Sequence, residues 1–69
     1  MGNHISSISK NIRSRRHKAG LSQDKLSKRA DITLHTLAKI EMGVTPDPRI
    51  STLKRIADAL GVSVDALVK

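Results

Sequence analysis

Four neighbouring residues have side chains that could touch another molecule from a single helix. Leu34, His35, Ala38 and Lys39 are spaced one, four and five residues apart, so on an α-helix they form one outward arc. Lys39 brings three donors and a positive charge. His35 brings a ring that can donate or accept, and Leu34 offers only apolar contact. We read this set as one that binds a surface. His4, His17 and His35 have no metal-ligand spacing, and the 69 residues contain no cysteine. There is no phosphate-cradling glycine loop and no nucleophile elbow. We therefore expect no enzyme, no cofactor and no metal.

The charge shows which partner such an arc would meet. Thirteen Lys and Arg stand against six Asp and Glu, for a net charge of +7. Residues 1–30 carry eight basic side chains against Asp24 alone, while residues 31–69 carry five of each sign. A basic excess gathered in one part of a chain attracts polyanions by steering and counterion release. Aromatic residues are absent, which removes the stacking platform of single-strand binders. No apolar run is long enough to span a membrane, and the first residues lack a signal peptide's apolar stretch. The expected location is the cytoplasm.

The elements that hold the arc follow from apolar spacing and end signals. Five helices are expected, at about 7–19, 23–30, 34–42, 49–60 and 64–68, with no strand. Ile8 and Ile12 share one face of the first. Ser22 caps the second and Asp24 sits in its positive first turn, with Leu26 and Ala30 inward. Thr33 caps the third, which turns Leu37 and Ile40 inward. The fourth begins around Asp47-Pro48, with proline in the first turn. Its stripe is Ile50, Leu53, Ile56, Ala57 and Leu60. Ser63 caps the fifth, which buries Val64, Leu67 and Val68. Gly20, Gly43 and Gly61 close the helices before them. The reading is an all-α globule forming one domain over residues 1–69, with its core at about 8–68. Without disulfides, so small a chain has roughly 3–5 kcal/mol of stability.

Only Asp31-Ile32-Thr33 separates the second and third helices, so they form a helix-turn-helix unit. Small Ser27 lies where the two would approach closely. The outer arc of the third helix would enter a DNA major groove, which admits one α-helix. There Lys39 can donate to guanine O6 and N7, Leu34 can contact a thymine methyl, and His35 can bond a base edge.

The ordered set Gly20-Leu21-Ser22-Gln23-Asp24-Lys25-Leu26, Ala30-Asp31-Ile32-Thr33, Lys39-Ile40-Glu41-Met42-Gly43 and Leu60-Gly61-Val62-Ser63-Val64-Asp65-Ala66-Leu67 resembles the phage repressor and Cro family, also called the XRE family. The resemblance covers about residues 8–68. It implies a compact five-helix fold like that of lambda repressor, and a transcriptional regulator, in most cases a repressor. The partner it implies is double-stranded DNA at a pseudo-palindromic operator, bound by a homodimer. By position, it makes Leu34, His35, Ala38 and Lys39 base-contacting. It makes Ser22, Gln23, Thr33 and Arg49 phosphate-contacting, and pairs Arg16 with Glu41 across helices one and three. Asp31 stands where relatives often have glycine, and Ala66 where some have an aromatic residue. Two rival readings remain from the residues: a protein-interaction module on the same fold, and a membrane-surface helix at 8–19. The latter has too few isoleucines for strong insertion.

Overall fold

The computed structural model describes residues 4–45 and 48–69, with side chains from Ser7 onward. Five helices follow in order: α1 His4–Lys18, α2 Gln23–Ala30, α3 Leu34–Glu41, α4 Ile50–Leu60 and α5 Val64–Val68. The fold is the expected all-α one. Helix α1 begins three residues before the expected start, and α3 ends at Glu41 with Met42 still in helical conformation.

The caps explain where the helices begin. Ser22, Thr33 and Ser63 are extended residues whose hydroxyls accept the N–H groups of Lys25, Thr36 and Ala66. Helix α4 departs from expectation. Arg49 holds its N-cap position without a side-chain cap bond, and Pro48 lies before the helix, not in its first turn. Asp47, the other half of the expected start, lies outside the described residues.

One device closes α1, α2, α3 and α4 alike. At each end a left-handed residue donates to the carbonyl three back, and its successor to the carbonyl five back. The pairs are Gly20 to His17 and Leu21 to Arg16, Asp31 to Lys28 and Ile32 to Ser27, Gly43 to Ile40 and Val44 to Lys39, and Gly61 to Asp58 and Val62 to Ala57. Three of the left-handed residues are glycine. The fourth, at the turn between α2 and α3, is Asp31 with φ 57°. Aspartate visits this region more readily than most residues, at a cost glycine avoids. Arg55 on α4 braces the turn, donating to the Asp31 carbonyl at 3.0 Å and to its carboxylate at 3.1 Å. That carboxylate is 92% exposed, so its ion pair is worth little, and the carbonyl bond survives a change to glycine. Asp31→Gly is therefore expected to be neutral or stabilising by up to about 1 kcal/mol in urea unfolding. A loss larger than that would show that the Arg55 pair outweighs the backbone strain.

The core takes Ile12 from α1, Leu26 and Ala30 from α2, Leu37 and Ile40 from α3, Leu53, Ile56 and Ala57 from α4, and Leu67 from α5. Leu21, between α1 and α2, joins them, and Ile8, Leu60 and Val64 pack against the outside. Two expected core residues stay out: Ile50 and Val68 are exposed. Ile50 is the first residue of α4, and side chains tilt toward a helix's N-terminus, so it projects past the packed part of the helix. Val68 sits at the other extreme, in the last turn of α5 beyond Leu67.

Helix α1 packs on both α3 and α5, and α2 on both α3 and α4. One buried and one part-buried polar bond fasten α1 to α3 and to α5. Ser9 Oγ donates to the Ile40 carbonyl at 2.7 Å, and Asn11 Nδ2 to the Leu67 carbonyl at 2.9 Å. Among the described residues no helix is long and apolar enough to cross a membrane.

Candidate nucleic-acid interface

Helix α3 turns Leu37, Ile40 and Glu41 inward and leaves the opposite side open. The open side spans roughly 140° of arc at 3.6 residues per turn. Around it come Leu34, half-buried Ala38, Met42, His35 and Lys39, the other four exposed. The four residues expected on the arc are therefore brought together. The structure adds Met42, 70% exposed on the same arc.

Each flank of the arc has its own polar border. Beyond Leu34 lies Glu41, the anchor of a network joining three helices. Arg16 Nε donates to Glu41 Oε2 at 2.8 Å and Arg16 Nη2 to Oε1 at 3.0 Å, a two-pronged pair. Arg16 Nη1 donates to the Leu21 carbonyl at 2.9 Å. Gln23 Nε2 donates to Glu41 Oε1 at 3.1 Å. The Glu41 side chain is 1% exposed and that of Arg16 12%. Such a buried pair is stable only because its remaining donors and acceptors are also satisfied. It fixes the start of α2 against the end of α3. One Gln23 amide N–H is committed to Glu41, which holds the other in a defined direction.

Beyond Lys39 lies a shallow groove between α3 and α4, lined by Thr36, Ile40, Thr45, Pro48, Arg49 and Thr52. Arg49 is exposed at its rim. The three threonine hydroxyls were not singled out from sequence, since isolated threonines 7–9 residues apart show no pattern until the helices cross. Ser22 Oγ and Thr33 Oγ1 each accept a capping N–H, and the Thr33 hydroxyl also donates to Thr36 Oγ1 at 2.9 Å.

Ser9 and Arg16 mark the side of α1 that faces α3, and Asn11 marks the side that faces α5. Arg13, His17 and Lys10 follow Ser9 around the helix, away from Asn11, and are exposed. Among the described residues no cluster of His, Cys, Asp or Glu could hold a metal ion.

The sequence profile of the helix-turn-helix family matches residues 12–67, from the middle of α1 to the end of the core. The chain belongs to the Cro/C1-type helix-turn-helix family. This helix-turn-helix domain is also similar to parts of larger solved structures. It overlays the cobalt(II) form of HppE in complex with Tris buffer with a TM-score of 0.86 and 25% identity, over 99% of this chain and 38% of that one. For iron(II) HppE with its substrate the TM-score is 0.82 and the identity 26%, over 93% of this chain and 37% of that one. For hydroxypropylphosphonic acid epoxidase from S. wedmorenis they are 0.82 and 26%, over 93% and 34%. The helix-turn-helix domain thus spans little more than a third of the chains it resembles.

Proposed function

We propose that this domain binds double-stranded DNA in a sequence-specific manner, as the DNA-binding part of a transcriptional regulator, and that its role is binding, not catalysis. The observation that carries the reading is the open arc of α3, bordered by Gln23 on one side and by Arg49 with its threonine groove on the other. A helix seated in the major groove has a phosphate backbone along each flank, and phosphate contacts fix its register while base contacts specify. In this reading Leu34, His35, Ala38 and Lys39 face base edges. Gln23 presents its second amide N–H to one backbone, with Ser22 beside it, and Arg49 reaches the other near Thr33. The buried Arg16–Glu41 pair holds the Gln23 border against the end of α3. Repression as the direction of control rests on the family resemblance.

One such helix covers only a few base pairs. Two copies on a pseudo-palindrome would place their α3 helices about 34 Å apart, one turn of DNA. Random-sequence selection followed by gel-shift titration tests this. The expected result is a two-fold consensus bound by two copies. Affinity should fall with salt at a log–log slope of roughly −0.9 per phosphate neutralised. Equal affinity for every sequence would overturn the proposal.

The likeness to an epoxidase chain nearly three times as long favours a second reading, in which the same fold serves as an interaction module attached to a catalytic part. That reading predicts no consensus in the selection and no effect of Lys39 substitution on any residual DNA affinity.

A further inference from the structure

The arc of α3 is divided. Leu34, Ala38 and Met42 are four residues apart, so they line up along the flank nearer Gln23. His35 and Lys39 occupy the other flank. Among the described residues nothing closes over the two ends of the apolar flank: Leu34 is 45% exposed and Met42 70%. An aligned, unpartnered apolar stripe marks a contact surface more than scattered exposed residues do.

We propose that this stripe selects thymine by its C5-methyl group, so that each half-site pairs a thymine-rich stretch under Leu34 and Ala38 with a polar contact under Lys39. The proposal rests on the DNA-binding reading. In the major groove the thymine methyl is the apolar group that base edges offer. Guanine would instead put the N7 and O6 acceptors beneath a leucine. Those acceptors would lose water and gain no donor, an unfavourable exchange. The stripe therefore favours thymine and disfavours guanine at the same positions. Charge also argues for DNA over a protein partner. The arc carries the Lys39 cation and no exposed acid, since Glu41, the acidic residue of α3, is turned inward onto Arg16. Three side chains also fall far short of the roughly 20–30 residues a side of a stable protein interface.

The test begins from the consensus recovered with the wild-type domain. Each thymine of a half-site is replaced by deoxyuridine, which removes the methyl and leaves every hydrogen-bonding group in place. Affinities are then measured for wild type, Leu34→Ala and Lys39→Ala. The wild type is expected to lose about three- to fivefold in affinity for each contacted methyl removed, at one or two positions per half-site. In Leu34→Ala the uracil penalty at one of these positions should shrink toward none. In Lys39→Ala it should persist. A clear consensus with no uracil penalty would overturn the thymine proposal alone and leave DNA reading intact. So would a penalty unchanged in Leu34→Ala. Absence of any consensus would overturn both. Self-association lost in Leu34→Ala, without a uracil effect in the wild type, would assign the stripe to a second copy of the chain and overturn the proposal.

Discussion

Replacing Glu41 with alanine is expected to leave most of the domain unfolded at room temperature. Its carboxylate receives two bonds from Arg16 and one from Gln23 in a site almost closed to water. Without it, a mostly buried guanidinium keeps the Leu21 carbonyl and the neighbouring His17 ring nitrogen but no counter-charge, and a Gln23 donor loses its partner. Orphaning one member of such a pair costs about 3–5 kcal/mol, which equals the roughly 3–5 kcal/mol expected of so small a core. Arg16→Ala should be similarly severe, since it strands a buried carboxylate with one amide for company. The double variant Arg16→Met with Glu41→Leu should be more stable than either Arg16→Ala or Glu41→Ala, because no charge is left buried. Urea unfolding followed by circular dichroism suits a chain without aromatic fluorophores. In a cycle of Arg16→Ala, Glu41→Ala and the two together, single-substitution losses that simply add would show that the two side chains are not coupled.

The second large effect separates contacts that hold from contacts that read. Gln23→Ala should weaken binding by a similar factor on every DNA sequence, because a phosphate carries no sequence information. Part of that loss comes through Glu41, whose third bond disappears, so the variant's stability must be measured beside its affinity. Lys39→Ala should cost about 1–3 kcal/mol on the preferred site and relax the preference at one base pair per half-site. Lys39→Gln is the sharper variant, since it keeps a hydrogen-bonding group but exchanges a cation for an amide. It should change which base is preferred. Selection on wild type and these variants side by side decides the matter. One unchanged consensus for all of them would remove α3 from the role of reader.

The parts of this structure that were legible in the sequence are those encoded locally. A capping hydroxyl, an apolar face and a left-handed stop each lie within a few residues of one another, so α2, α3 and α5 could be placed from their own residues. Asp31 was legible through the family resemblance, since it stands where relatives often have glycine and aspartate tolerates the left-handed region. Bonds between elements left no such trace. Ser9 and Ile40 are separated by 31 residues and Asn11 and Leu67 by 56, and small polar residues on a helix look solvent-bound until the partner helix is in place. Arg55 is one of several exposed cations until α4 lies across the Asp31 turn. The Arg16–Glu41 pair was named only through family resemblance, since neither residue's own surroundings announce burial. Ile50 misled because a periodic stripe does not show where the neighbouring helix stops.

The contact of α5 with α1 bears on how the domain comes apart. Five residues are too few to hold helical form in water, because the first turn costs more order than its single bond returns. Helix α5 exists only while Leu67 lies in the core and Asn11 holds its carbonyl. It behaves as a latch, helical when docked and coil when released. Its release uncovers Ile12 on α1 and leaves the α2–α3 unit with its own caps, its turn and the packing of α4. Thermal motion therefore reaches the interior first from this edge, by a partial opening smaller than global unfolding, and the half of the molecule that carries the α3 arc is the last to lose its shape.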